Sequence, residues 1–182
     1  NLPILTILIF LPLVGVLFML LTKGDEEKVN KISLNVSLLT SALVFALSLL
    51  LWKNFDASSA EFQFVEEKSW IINFVKYKVG IDGISILFVV LTAFITPLCI
   101  LSTSNSIKFR KKDFFIALLL METMMLGVFC SLDLFIFYLF FEAGLIPMFL
   151  IIGIWGGIRR VYSAFKFFLY TLLGSIFMLV AI

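Results

Sequence analysis

The chain has 182 residues, 62% of them hydrophobic and 14% charged, with a formal net charge of +2. Soluble domains are about half apolar and about a quarter charged; a mean hydropathy of +1.16 therefore reads as an integral membrane protein. The absence of His and the presence of only two Cys exclude haem, most zinc and copper sites and the commonest proton shuttle, and so small a net charge says nothing for nucleic acid.

Six apolar segments are long enough to cross a hydrocarbon core of ~30 Å. The first runs from about Leu2 to Thr22, with Pro3, Pro12 and Gly15 in it. It lacks the basic start and A-x-A site of a cleaved signal peptide. The chain opens on Asn1 rather than Met, which suggests processing or a boundary within a longer protein. TKGDEEKVNK reads as a short solvated loop. The second helix is expected over about Ile32 to Trp52, with Asn35, Ser37, Ser41 and Ser48 tolerated inside a bundle.

Residues 53–80 form the sizeable extramembrane stretch. Phe62/Phe64, and Phe74/Lys76/Lys78 against Val75/Tyr77/Val79, alternate with the period of strands. They predict a β-hairpin on the membrane surface, with Trp52 and Trp70 at the interface. The third helix is expected over about Ile81 to Leu101, with Asp82 as its N-terminal cap and a kink at Pro97.

SIKFRKKD follows. Its Lys108, Arg110, Lys111 and Lys112 read first as anchors to anionic lipid and second as a surface for a partner subunit. The fourth helix is expected over about Phe114 to Leu132 and the fifth over Leu134 to Trp155. The sixth starts near Ser163 and has no polar cap before Ile182, so the chain is read as the N-terminal part of a longer protein. The expected fold is an all-α integral membrane protein of six transmembrane helices with a short extramembrane β-hairpin. It divides into helices one and two (1–52), hairpin loop (53–80), helix three with its basic loop (81–113) and helices four to six (114–182).

Lys and Arg concentrate in the loops after helices one, three and five: Lys23, Lys28 and Lys31, then the Lys108–Lys112 cluster, then Arg159 and Arg160. By the positive-inside rule these loops face the cytoplasm or matrix, and the N-terminus and hairpin face outward.

Two carboxylates lie inside apolar segments. Glu122 is ten residues before Leu132 and Glu142 ten after it. At ~1.5 Å per residue both sit about 15 Å from the turn, near the bilayer midplane. Ionisable groups at that depth are expensive and are read as functional. Glu142 is the stronger candidate. Pro147 brings no N–H to the Ala143 carbonyl, so carboxyl, freed carbonyl and water make a plausible relay for protons. The alternative is a structural acid bonded to a neighbouring helix. Glu122, among Met and Thr, reads equally as part of a proton path or as packing. Lys166 either snorkels to the interface or sits in the bundle and tunes a carboxylate. Tyr138 is one turn before Glu142, within reach of a hydrogen bond or packed as an ordinary aromatic. Cys99 and Cys130 read as packing residues. There is no phosphate loop, dinucleotide fingerprint, CxxC pair or Ser/His/Asp set, which assigns any energy source to another chain.

LDLFIFYLFFEAGLIPMFLIIGIWGG, YSAFKFFLYTLLGS and VGIDGIS closely resemble the subunit M (mitochondrial chain 4) family of NADH:quinone oxidoreductase, respiratory complex I. The resemblance extends more loosely over the whole chain, and Lys166 in AFKFFLYTLLGS is closer to bacterial members. It implies an antiporter-like subunit of fourteen helices with two inverted five-helix repeats, the first beginning at helix four. It implies proton translocation without a redox centre, with FMN and Fe–S clusters in partner subunits. The inner bacterial or mitochondrial membrane is the implied location. Glu142 matches the family's fifth-helix glutamate, which pairs with a seventh-helix lysine beyond residue 182. Glu122 and Lys166 are secondary candidates. A subunit of a multisubunit cation/proton antiporter or membrane-bound hydrogenase, a non-transporting membrane scaffold and an independent secondary transporter are the rival readings.

Overall fold

A computed structural model describes residues 2–71 and 75–182. In chain order the elements are α1 (Ile4–Leu21), α2 (Glu26–Lys53), β1 (Gln63–Ile71), β2 (Val75–Ile81), α3 (Ser85–Thr103), α4 (Lys111–Cys130), α5 (Leu134–Trp155) and α6 (Arg160–Ala181). All six helices are long and apolar enough to cross a membrane. Phe74 and the tip of the expected hairpin lie outside the described residues.

α4 and α6 each start three residues before expectation, at Lys111 and Arg160, and three further boundaries move, each for a local reason. α2 starts six residues early, at Glu26, so most of the expected charged loop is helical. Glu26 and Glu27 then complement the positive end of the helix dipole. α3 starts late because Ile81 is still paired with Gln63 in the hairpin. Asp82 Oδ1 accepts from the N–H groups of Ile84 (3.1 Å) and Ser85 (2.7 Å). The Ser85 N–H bond, first, holds the Asp82 carboxyl below the ordinary carboxylate value, so Asp82 is the expected cap. α4 ends at Cys130 because Ser131 bridges to Val79 and the Leu132 N–H donates to the Lys78 carbonyl (2.9 Å).

α4 is the central helix: α1, α2, α3, α5 and β2 all pack against it. Two apolar clusters hold the first four helices together. One lies at the hairpin end, with Leu5, Leu8, Val44, Val79, Val89, Leu126 and Cys130. The other lies at the basic end, with Val16, Met19, Ile100, Phe115 and Leu119. Between them runs a layer of small and hydroxylic residues: Gly15, Ser37, Thr40, Ser41, Thr96 and Thr123. A Cβ on Gly15 would meet Thr40 Oγ1 at 2.5 Å, so glycine is what lets α1 and α2 approach. Asn35, expected inside the bundle, is exposed.

The hairpin is antiparallel, Glu66 opposite Val79 and Lys68 opposite Tyr77. Val75 and Val79 turn toward the bundle and Lys76 away from it, as alternation predicts. A bulge between Gln63 and Glu66, with Phe64 at φ +53°, re-aims the strand. Glu66 then caps α1: Oε1 accepts from Leu5 N (2.8 Å), and the Thr6 hydroxyl donates to Oε2 and lies 3.0 Å from the Tyr77 hydroxyl.

At the opposite end, Lys112 Nζ donates to the Thr22 carbonyl and Lys111 Nζ to the Ser104 carbonyl, each at 3.0 Å. These are cations on the negative ends of α1 and α3. Arg110 pairs with Asp113 at 2.8 Å. Three of the four cations expected to anchor lipid thus have protein partners, and Lys108 is exposed.

Candidate functional site

Glu122 and Glu142 are each eight residues from the α4–α5 turn, counted from Cys130 and Leu134, so their backbones share a depth of about 12 Å. Their side chains do not share a site. α4 meets α5 through Gly127, whose Cβ would run into the Phe140 ring, and through Met124, 3.5 Å from a Cβ on Gly144. At about 100° per residue, Glu122 is roughly 140–160° around α4 from both contacts. On α5, Glu142 lies roughly 160° around from Phe140 and Gly144. The two carboxyls therefore point away from the interface that joins their helices.

Glu122 points into the hydroxylic layer of the first four helices. It is 2% exposed, and neither carboxyl oxygen has a hydrogen-bond partner among the described residues. Thr96 of α3 lies beside it, but the Thr96 hydroxyl donates to the Thr92 carbonyl at 3.0 Å.

Glu142 lies on the opposite seam. It shares a stripe of α5 with Phe149 and Gly153, seven and eleven residues further on. Phe149 packs against Phe165 and Phe168, and Gly153 against Ala164, so the stripe faces α6. Glu142 is half-buried and its Oε1 is buried with no partner among the described residues. The Gly153–Ala164 contact sets the register of the two antiparallel helices and puts Glu142 level with Ser175. The Ser175 hydroxyl is committed to the Leu172 carbonyl at 2.9 Å.

Lys166 is not brought to either acid. It is exposed, nine residues or about 14 Å along the axis from the level of Glu142, with its ammonium 5.8 Å from the Tyr162 ring centre. That is the snorkelling arrangement. Pro147 is buried in α5 and leaves the Ala143 carbonyl without its helical donor. Ala143 also lines a cleft of about 620 Å³ between α1, α5 and the hairpin, which Phe10, Lys68, Tyr77 and Met124 help to form. Sequence reasoning missed Thr96. Its signal was the i, i+4 pair of Thr92 and Thr96 directly before Pro97. It also missed Glu66, which carried no signal beyond its place in the hairpin.

Residues 4–130 match the family described as NADH-ubiquinone oxidoreductase chain 4, amino terminus. The chain belongs to that family. Residues 131–182, which hold Glu142, match a second description, NADH:quinone oxidoreductase/Mrp antiporter, transmembrane. The chain is 47% identical to NADH-quinone oxidoreductase subunit M of Rickettsia prowazekii, over 100% of this chain and 37% of that protein. It is 51% identical to the Rhodobacter capsulatus protein of the same name, over 98% and 35%. It is 48% identical to NADH-ubiquinone oxidoreductase chain 4 of Mycosarcoma maydis, over 97% and 37%. The chain thus spans little more than a third of the length of these relatives. Its fold matches a chain of the membrane-bound sulfane sulfur reductase, an archaeal respiratory membrane complex, with a TM-score of 0.77 at 19% identity, over 98% of this chain and 27% of that one.

Proposed function

We propose that this chain is the N-terminal part of a proton-translocating membrane subunit of NADH:quinone oxidoreductase, and that Glu142 is one half of its proton site. One observation carries the reading: a carboxyl near the middle of a membrane-long helix, one oxygen buried and without a partner among the described residues, in the segment that matches the family. A carboxyl in such a place holds a proton or needs a cation. The cation is a lysine from the chain beyond residue 182, approaching across the α6 side where Glu142 points. Redox work in other subunits moves that cation toward or away from Glu142, which releases or takes up a proton at constant bulk pH. Pro147 supplies the free Ala143 carbonyl as a relay acceptor. Residues 114–182 begin the first antiporter-like repeat, residues 1–52 and 81–113 flank it as helices one to three, and residues 53–80 close its outer side.

Glu122 is a secondary proton-handling group in the first four helices, and Lys166 a cation at the inner mouth of the α5–α6 seam. The subunit acts as part of an enzyme whose FMN and Fe–S clusters belong to other subunits. Its partners are the other membrane subunits of that complex and the lipid bilayer, with Lys108 the cation left to meet anionic headgroups. The location is the bacterial or mitochondrial inner membrane, N-terminus outward.

The test is Glu142→Gln in the full-length subunit within the assembled complex. Proton pumping per electron should fall at least severalfold while the complex still assembles, with Glu142→Asp milder. Normal pumping in assembled Glu142→Gln complex overturns the reading and favours a scaffold. A second reading, a subunit of a cation/proton antiporter or membrane-bound hydrogenase, is favoured by the Mrp antiporter in the description matched by residues 131–182. It shares the Glu142 chemistry. It predicts that the full-length subunit assembles without NADH-oxidising partners.

A further inference from the structure

The hydroxylic layer around Glu122 has an arrangement of protons that the Glu142 site does not explain. Each hydroxyl has one proton to donate. Thr96 gives its proton to Thr92 O at 3.0 Å, Thr92 to Phe88 O at 2.8 Å, Ser37 to Leu34 O at 2.9 Å, Thr40 to Val36 O at 2.7 Å and Ser41 to Leu38 O at 3.0 Å. Thr96, between Ala93 and Ile100 on α3, stands at the level of Glu122, between Leu119 and Leu126 on α4. With its proton on Thr92 O, its oxygen can only accept toward that carboxyl. A carboxylate there would face an acceptor; the one hydroxyl of the layer without a partner among the described residues, Thr123, is the next residue of α4 and projects about 100° around the helix from Glu122. A neutral carboxyl has the O–H that fits.

The charges nearby agree. α1 contains no titratable residue, and α3 contains only Cys99. The charged residues of α2, which are Glu26, Glu27, Lys28, Lys31 and Lys53, lie at its ends. α5 offers Tyr138 and Glu142, and Glu142 faces α6. The hairpin meets α4 at its far end, where the Leu132 N–H donates to the Lys78 carbonyl; Tyr77 meets Thr6 of α1 and Lys76 turns away from the bundle to Glu67. On α4 itself Lys111, Lys112 and Asp113 are at the first turn and Cys130 at the last. No cation among the described residues lies at the level of Glu122, and an unpaired buried charge neutralises rather than remain.

We propose that Glu122 is a second proton-binding site, in the α1–α4 bundle, that holds its proton as a neutral carboxyl donating to the Thr96 hydroxyl oxygen, and that losing this proton turns the Thr96 hydroxyl from Thr92 to the carboxylate. The balance is simple: the Glu122 O–H bond breaks, the proton leaves, and Thr96 exchanges one acceptor for another. Thr96 sits directly before Pro97, which brings no N–H to the Ala93 carbonyl. The switch therefore acts on a part of α3 already short of one helical bond. Thr96 is a positioning residue, and Glu122 the group that binds the proton. This deepens the reading of the chain as a proton-handling subunit and rests on it for the use of the stored proton, but not for its presence.

The experiment is infrared difference spectroscopy, in water and deuterated water, on the full-length subunit within its complex. The expected result is a neutral-carboxyl carbonyl band that is lost in Glu122→Gln, kept in Glu122→Asp, moved in Thr96→Val and restored in Thr96→Ser. Assembly of each variant is checked in parallel, and the conservative Glu122→Asp and Thr96→Ser variants guard against misfolding. No band lost in Glu122→Gln means that the carboxyl is ionised and overturns the proposal. A band unmoved in Thr96→Val removes the Thr96 partnership and overturns the switch. Neither readout depends on pumping, so a failure here leaves the Glu142 reading standing, and a failure of Glu142→Gln to stop pumping leaves this one.

Discussion

The first four helices and the last two are built on opposite plans. In α1–α4 the polar groups turn inward: Ser33, Ser37, Ser41, Ser48, Glu122 and Thr123 are 0–2% exposed. Hairpin and basic loop tie both ends, through Glu66 to α1, Ser131 to β2 and Lys111 and Lys112 to the helix C-termini. In α5–α6 only a handful of side chains are buried. Tyr170, Phe177 and Val180 are 67–81% exposed, and the one acid lies on a seam with an open flank. A sealed bundle can keep a carboxyl neutral without help. An open seam leaves its carboxyl available to a partner that arrives from elsewhere.

The same substitution placed in each half gives the widest contrast. Gly127→Ala puts a methyl into the root of the Phe140 ring, and overpacking of this kind costs ~1–3 kcal/mol. Gly174 on α6 has nothing within 4 Å of a Cβ. Gly174→Ala in residues 1–182 should be neutral or stabilising by up to ~1 kcal/mol, from helix propensity alone. Unfolding in detergent micelles measures both. If Gly174→Ala is costly in the longer protein and harmless in the 182-residue chain, later segments cover α6, which sharpens the contrast. If Gly127→Ala is harmless, the Phe140 ring gives way at little cost and the α4–α5 contact is soft.

Glu66→Ala tests the strap on the sealed half. It removes two bonds to the free N–H groups of α1 and the bond from Thr6, with an expected loss of about 1–2 kcal/mol. Hydrogen exchange should rise at Leu5, Thr6 and along residues 75–81, and stay unchanged in α6. Unchanged exchange at Leu5 would mean that water serves the α1 terminus as well as Glu66 does.

How far the residues announced this follows from which forces are local. α5 has its expected bounds, Leu134 to Trp155, because its caps adjoin it: Asp133 Oδ1 accepts from Phe135 N at 2.9 Å and Ile136 N at 3.2 Å, and Gly156 ends it. The hairpin was legible from Val75, Tyr77 and Val79 alternating with lysines. Glu122 and Glu142 were legible as deep acids because depth is a count along one helix. Their separation was not, because which way a side chain faces depends on Gly127, Met124 and Gly153, whose partners are remote in sequence. Lys111 and Lys112 read as lipid anchors because charge alone does not reveal that the C-termini of α1 and α3 lie within reach.

Capping aspartates occur in both halves, and smaller effects are expected from them. Asp82→Ala and Asp133→Ala should each cost about 1 kcal/mol. For Asp82 the folded carboxyl lies below its unfolded value of about 4, so its contribution is whole above about pH 4 and fades as the pH falls further. Asp82→Ala should flatten that part of the stability profile in acid. An unchanged acid limb would show that Ser85, whose hydroxyl accepts from Asp82 N at 2.8 Å, carries the cap alone.

The smallest effect is expected where the contact looks strongest. Lys76 Nζ lies 2.9 Å from Glu67 Oε1 and Lys78 Nζ 3.7 Å from Oε2. Lys76 holds the Glu67 carboxyl below the usual carboxylate range. All three side chains are 41–52% exposed, so water and salt screen what they gain from each other. Lys76→Gln should therefore leave the exchange protection of residues 75–81 unchanged, at low and high salt alike. The hairpin is held by Glu66 on one side and by the Leu132 N–H on the other, neither of which involves Lys76. A marked, salt-dependent loss of protection would move the anchor of the sealed half from its buried hydrogen bonds to its surface charges.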